Sequence, residues 1–542
     1  MQLPLVTAAL LGTAFGVCAQ MSGAYNIDPA GSGARNFKTF TAATKQLFLE
    51  GVNGPVTFIV AAGTYNESFF LLPVQGASSA NTITFFHPIP GSVKLVGTQG
   101  DTVTLFAGLS WYRNGYYVFD GMEFASSVAG AVRGGEYTDE VEFRNCTFQA
   151  AHPGGSAFPR AMVYVNGANT AARWRFVGNT IVLPGGSVYG IYGSQVSQWE
   201  FQRNSVDLNN STYGIYLINN NNAQNRIYNN LFFGNLSTSN QAAAIHVDLS
   251  NLNNEICHNT FFVITTGTGS CVRTFGTQAY PNKFWGNVFN MIGPGTCLNV
   301  SPTTASLQYW ESDANLYNAP AGNIAALGTT TYNTLSAWQQ ATNKDANSLQ
   351  ADPLLRQTQQ APYDLRPMPN SPVKDRGVRT PAYVAEDYER RLRDGLPDLG
   401  AYEMSGFALF GTGCAGSGAA TPELSSTGAI ALGSTTFTIT LRKALGGTNA
   451  ALGIGTSRTR FGSINLPFDL GGGCNLLIDL PITSAFPVAG SGAGNGTANV
   501  PLPIPNNPSL LGGSTYFQWF VVDPATQSNF GVTTSNGGVL QL

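Results

Sequence analysis

The chain has 542 residues, room for roughly two to four domains, and its 63 Gly and 29 Pro punctuate it with turns. Charged residues make up only 11% against 43% hydrophobic, too little charge for coiled coils, long salt-laced helices or highly charged disorder. A formal net charge of −3 and the absence of any basic run argue against nucleic-acid binding. What remains is a Gly-rich, sheet-rich protein kept in solution by hydroxyls and amides.

In chain order, Leu3 to Val17 is apolar and rich in small residues, and Val17-Cys18-Ala19 precedes Gln20. This is the apolar region and A-x-A-like cleavage site of an export signal, so residues 1–19 are expected to be removed. No later stretch approaches the ~20 uninterrupted apolar residues that cross a bilayer. The mature chain is therefore expected outside the cytoplasm, secreted or at the cell surface. Without Cys18, six cysteines remain: Cys146, Cys257, Cys271, Cys297, Cys414 and Cys474. An even number in an exported chain permits disulfides, and the lack of C-x-x-C spacing makes a zinc site improbable.

The central region, residues 111–320, repeats the template apolar-x-x-Asn-x-apolar. It reads Phe176-Val-Gly-Asn179-Thr-Ile181, Phe201-Gln-Arg-Asn204-Ser-Val206, Ile227-Tyr-Asn-Asn230-Leu-Phe232, Ile256-Cys-His-Asn259-Thr-Phe261 and Phe284-Trp-Gly-Asn287-Val-Phe289, with Asn315-Leu-Tyr317 a degenerate last copy. Phe119 to Phe124 and Phe143 to Phe148 fit earlier, with Met122 and Cys146 in the Asn slot. A second strand recurs in step as Gly190-Ile191-Tyr192, Gly214-Ile215-Tyr216, Ala244-Ile245-His246 and Cys271-Val272-Arg273. Such a unit has no helical pattern and cannot bury its apolar side chains alone, so it must stack on its neighbours. Short strands at a period near 27 residues fit the coil of a parallel β-helix, whose coils pair ~4.8 Å apart. The Asn residues would then stack at one inner corner, each amide bonded to the next. The slot before the template reads Glu142, Arg175, Glu200, Arg226, Glu255 and Lys283, alternating in sign as an outward column of close neighbours should. Cys271 and Cys297 fall one coil apart, inside the ~4.4–6.8 Å Cα window for a disulfide, and are expected to bridge or at least to stack. Cys146 and Cys257 are expected to stay unpaired.

With these motifs the chain resembles the right-handed parallel β-helix, or pectate-lyase-like, superfamily of exported bacterial proteins; the handedness comes from that resemblance and the general chirality of parallel crossovers. Gly54-Pro-Val-Thr-Phe-Ile-Val-Ala-Ala-Gly-Thr-Tyr-Asn-Glu67 is similar to the group's first coil, and Phe37 to Glu50 reads as a short helix capping the open end, so residues 20–110 form the N-terminal cap and opening coils. Asp352-Pro-Leu-Leu, Tyr363-Asp-Leu-Arg-Pro, Asn370-Ser-Pro-Val-Lys-Asp-Arg-Gly and Pro397-Asp-Leu-Gly-Ala-Tyr-Glu403 resemble the closing segment of bacterial surface β-helices, assigned to residues 321–405. Asp387 to Arg393 matches that segment's acidic-then-Arg element loosely, with Arg390 where Gly is usual. No cofactor is expected. The acidic residues there read as a polar cap, with calcium as the alternative.

From residue 406 the composition changes. Several short alternating or apolar strands between Gly, Pro and Asn turns predict a small antiparallel β-sandwich over residues 406–542, with Cys414 paired to Cys474. This module resembles one at the C-terminus of secreted planctomycete proteins, a resemblance that implies no activity.

The resemblance proposes a polysaccharide lyase or glycoside hydrolase, but the clustered or paired carboxylates of those enzymes have no counterpart string in residues 100–320. One constellation remains, on the second strand. Tyr164, Tyr192 and Tyr216 line up as a substrate-binding stripe, followed by His246, Asp248 and Arg273, which could serve as base and electrophile in β-elimination. Such rings offer flat faces to sugars beside hydrogen-bonding groups. The expected function is thus an exported monomer presenting a long sheet face to an extracellular polysaccharide, with recognition on that stripe or on inter-coil loops such as Ala150 to Arg160. A lyase or hydrolase using His246, Asp248 and Arg273, and a structural adhesin or envelope component without a small ligand, are the alternatives.

Overall fold

The computed structural model describes residues 20–542 apart from 107, 109–111, 127–129, 150–160, 219–223, 249–252, 276–281, 301–309, 379 and 405. The export-signal segment and the loop 150–160 therefore lie outside the described residues.

Three long sheets of 12, 11 and 13 strands carry residues 21–350. The chain visits each sheet once per coil: Arg175–Val177 lies in the first, Thr180–Val182 in the second and Gly186–Ser197 in the third, before Glu200–Gln202 returns to the first. Successive coils pair in parallel and in register, as with Phe176 opposite Phe201 and Ile181 opposite Val206. This is the parallel β-helix that the repeat predicts.

The corner between the first and second sheets holds the Asn file. Each Nδ2 donates to the Oδ1 of the next coil's Asn, from Asn179 to Asn204 at 3.0 Å through to Asn287 to Asn315 at 3.1 Å. Each Oδ1 also accepts a backbone N–H from the coil before, as from Asn204 to Asn230 at 2.9 Å. The remaining Nδ2 hydrogens bond to buried carbonyls, so the amides are satisfied without water. Cys146 does occupy an earlier slot. Its backbone N–H donates to Asn179 and its thiol donates to the Phe119 carbonyl. The residue before each Asn stands in the left-handed region, from Ala314 at φ 50° to Gly286 at φ 67°. That conformation makes the sharp corner.

Inside, identical side chains stack. Phe58, Phe85, Phe119, Phe143, Phe176 and Phe201 form a column with centroid spacings of 5.0–5.6 Å, and a second column runs from Phe232 through Phe261 and Phe289 to Tyr317. The helix Phe40–Glu50 closes the N-terminal end, with Phe40 packed on Phe69 and Tyr65. Thr39 and Glu67 accept from its first backbone N–H groups.

Cys271 and Cys297 are buried free thiols, and the expected bridge is absent. They do lie in register on adjacent coils, between paired residues on either side, with their side chains in contact. In-register parallel neighbours project their Cβ atoms side by side at the strand spacing of ~4.8 Å, beyond the ~3.5–4.5 Å that a disulfide needs. Cys146 and Cys257 are also free and buried.

After the solenoid, the closing segment folds back onto it through Arg393. Its fully buried guanidinium donates to Asn229 on the solenoid corner, to the carbonyls of Gly400 and Asp398, and to Glu403 at 3.1 Å. From Gly406 the chain builds two antiparallel sheets of five and three strands. They share a core that includes Leu441, Leu452, Val500, Trp519 and Val521, and Cys414 is bonded to Cys474. The first strand, Gly406–Phe410, pairs with the last, Val532–Gln541.

Candidate functional site

The outer face of the third sheet carries one unbroken file of register partners: Arg133, Tyr164, Tyr192, Tyr216, His246 and Arg273. The in-register parallel pairing that aligns the Asn file also aligns these side chains, because every coil contributes the same slot. Tyr164 stacks on Tyr192 at 5.2 Å, Tyr192 on Tyr216 at 5.5 Å, and Tyr216 on the His246 imidazole at 4.5 Å. At one end the Arg133 guanidinium lies 4.8 Å over the Tyr164 ring. At the other, Arg273 is the register neighbour of His246 and donates to the Asn240 carbonyl at 3.0 Å.

Two further tyrosines belong to this face. Tyr189 stacks on Tyr213 at 5.0 Å, and both meet the first file edge-on or tilted, Tyr189 against Tyr216 at 4.9 Å and Tyr213 against Tyr216 at 4.6 Å. Strict alternation would send residues three apart to opposite faces. Here the three-residue run Tyr213, Gly214, Ile215 is buried throughout, and Tyr213 and Tyr216 end up side by side. The signal was in the chain, since Tyr-Gly-Ile-Tyr occurs at both 189–192 and 213–216.

The rings stack along the solenoid axis, with interplanar angles of 14–18° in the file from Tyr164 to His246. Their faces are therefore spent on one another, and the expected flat platform for sugar rings is replaced by a comb of ring edges and phenol groups. Burial pushes the Tyr189 hydroxyl up to about 12 and raises those of Tyr192 and Tyr213 as well. These groups stay protonated and act as neutral donors and acceptors.

The three proposed catalytic residues are placed unequally. His246 is buried, and burial, reinforced by Arg273, pulls its imidazole down to about 3. A ring that basic only below ordinary pH is a poor general base. Among the described residues its Nδ1 has no hydrogen-bond partner. Asp248 ends the strand Ala243–Asp248 opposite Phe275, and its side chain lies outside the described residues. Arg273 is in place but engaged with a carbonyl. The acidic residues of the closing segment fold as a hydrogen-bonded turn: Asp387 accepts from Arg391 and Glu403, and Asp398 accepts from Asp375 and Met404.

No protein-family model and no curated protein sequence matches this chain. Among solved structures, the pectate lyase Pel9A is similar at a TM-score of 0.39 and 14% identity, over 71% of this chain and 97% of its own. An alginate lyase from Paenibacillus sp. str. FPU-7 is similar at 0.32 and 12%, over 53% of this chain and 96% of its own. The Acinetobacter phage vB_ApiP_P1 tailspike protein is similar at 0.32 and 10%, over 95% of this chain and 86% of its own.

Proposed function

We propose that this is an exported carbohydrate-binding protein whose third sheet holds an extracellular polysaccharide along the solenoid axis. The observation that carries the reading is the file from Arg133 to Arg273, in which stacked rings present their edges in register and a guanidinium stands at each end. Rings locked by stacking lose little further freedom on binding, which favours a repeating ligand. The hydroxyl-rich edge suits sugar hydroxyls, and the terminal arginines suit acidic substituents. The disulfide between Cys414 and Cys474 fits an oxidising compartment. Among the described residues, no helix is long and apolar enough to cross a membrane.

Binding without turnover is favoured over a lyase because the candidate base, His246, is neutral and weakly basic. Purified protein incubated with a panel of acidic and neutral polysaccharides should retain at least one of them and release neither new reducing ends nor unsaturated products. Tyr216→Ala should lose that binding while Glu200→Ala, on the first sheet, keeps it. Equal binding by both variants would remove the stripe from the reading.

A further inference from the structure

A second constellation lies on a different face, where three segments remote in sequence converge. The outer side of the first sheet contributes Arg144 and Arg175, the corner after it contributes Arg203, the closing segment contributes Glu386 and Arg390, and a loop of the sandwich contributes Arg458. Together they line a cavity of about 480 Å³. A neighbouring cavity of about 260 Å³ shares Arg203, Glu386 and Arg458 with it, so the two form one furrow. That volume lies in the usual range of ligand sites.

Its charges do not cancel. Glu142 serves Arg175 at 3.1 Å and Arg144 at 3.7 Å, and Glu386 is shared by Arg203 and Arg458. From the rim, Asp120 pairs with Arg144 and Glu200 with Arg175. Arg390 forms no ion pair among the described residues, and it is exposed. Burial, reinforced by the nearby Arg390 guanidinium, lowers Arg203 below the ordinary guanidinium value.

Arg390 also stands in the left-handed region, at φ 66°. It occupies the tip of the turn in which Glu386 bridges to Leu392 and the Arg390 N–H donates to the Asp387 carbonyl. Glycine adopts this conformation freely, whereas a Cβ is crowded there. The chain thus keeps a guanidinium, facing the furrow without a partner, at a position where backbone geometry alone favours Gly. Arg173 and Arg203 share this backbone region, so what singles out Arg390 is the exposed guanidinium it brings to the furrow with no ion pair among the described residues.

We propose that this furrow binds an anionic oligosaccharide, with Arg390, Arg203 and Arg458 holding its carboxylate or sulfate groups. Guanidinium forks match such oxyanions geometrically. The other lining groups, Asn145, Gln202 and Thr459, are amides and a hydroxyl suited to sugar hydroxyls rather than to apolar side chains. The assignment gives the C-terminal module a task, because Arg458 closes the third wall. It is independent of the tyrosine file, which lies on another sheet.

The test is calorimetric titration of the full chain with an oligouronate hexasaccharide, a sulfated hexasaccharide, a neutral hexasaccharide and a hexaglutamate peptide. One or both anionic sugars should bind, with affinity falling steeply as salt rises, whereas any binding of the neutral sugar, which would belong to the tyrosine file, should be insensitive to salt and to Arg390→Gly. Which anionic sugar binds more tightly assigns the oxyanion. Arg390→Gly should melt no lower than the wild type yet bind the anionic sugar at least tenfold more weakly, and Arg458→Gln should weaken it similarly. Wild-type affinity in Arg390→Gly would overturn the proposal, as would hexaglutamate binding as tightly as the sugars.

Discussion

The outer faces of the first and third sheets share one geometry and carry opposite chemistry. On both, every coil places the same slot beside its equivalent. On the first sheet the slot alternates in sign, and the structure pairs Glu142 with Arg175, Arg175 with Glu200 at 2.9 Å, and Glu255 with both Arg226 and Lys283. On the third sheet the slot repeats, with Tyr164, Tyr192 and Tyr216 stacked in succession. Like charges at this spacing repel while like rings attract, so the column that must alternate is charged and the column that may repeat is aromatic. An alternating column neutralises itself, and charge is left over for a ligand only where Arg203, Arg390 and Arg458 gather beside it. A repeating one offers the same group at regular intervals, which is what a polymer of repeating sugars requires.

Both faces depend on the buried amide file, and the largest effect should come from breaking it. Asn230→Ala removes the acceptor of the Asn204 backbone N–H and Nδ2, and the donor to Asn259. At about 1–3 kcal/mol for each buried group left unsatisfied, the loss should reach several kcal/mol, read as a large fall in the urea midpoint. Sugar binding should fall with it, since both columns lose register. Next in size, Tyr216→Ala deletes stacking on Tyr192 and His246 and the contacts with Tyr189 and Tyr213, each worth about 0.5–1.5 kcal/mol. Tyr216→Phe separates ring from hydroxyl. It should retain most of the stability and lose about tenfold in affinity if edges and phenols do the binding.

How much of this was legible follows from the same contrast. The Asn file and the charge column could be read because each repeats one residue type, or one strict alternation, at a fixed slot. A second buried amide file, Asn225 to Asn254 to Asn282, keeps the same step with 29- and 28-residue separations, but three copies flanked by Trp199 and Trp310 do not stand out from an Asn-rich chain. Tyr189 and Tyr213 were missed because the two-residue alternation fails at Gly190 and Gly214, where a Cβ would meet the carbonyl oxygen of the next coil at 2.4 and 2.5 Å. The stripe's residues were found, but not that their faces would be turned on each other, because ring orientation is set by packing. The missing Cys271–Cys297 bridge has a related cause: matching slots fix Cα distance but also make the Cβ vectors parallel. The arginine furrow draws on residues near 144, 203, 390 and 458, and no local pattern joins those.

The pH response should distinguish the third sheet from the first. Burial depresses His246 to about 3 and holds His258, buried beneath the closing segment, well below its usual value. In the unfolded chain both titrate near ~6.5. As pH falls below that value the unfolded state takes up protons that the folded state refuses, so the stability these two histidines contribute declines from pH ~6.5 toward ~3 and is flat above. His246→Phe keeps a ring in the stack and should flatten part of that decline in urea midpoints measured across the range. If the slope is unchanged, His246 is not buried as a neutral ring.

The smallest effect is reserved for the charge column. Glu200→Lys puts a cation between Arg175 and Arg226 and should cost about 1 kcal/mol, because half-exposed pairs are screened by water. Raising salt to about 1 M shortens the screening length to ~3 Å, so most of that loss should disappear, while the Tyr216→Ala loss, which is not ionic, should persist. A Glu200→Lys penalty that ignores salt would mean the alternation serves packing, with the Tyr228 hydroxyl that donates to Glu200 as its agent, and the electrostatic half of the contrast between the two faces would fall.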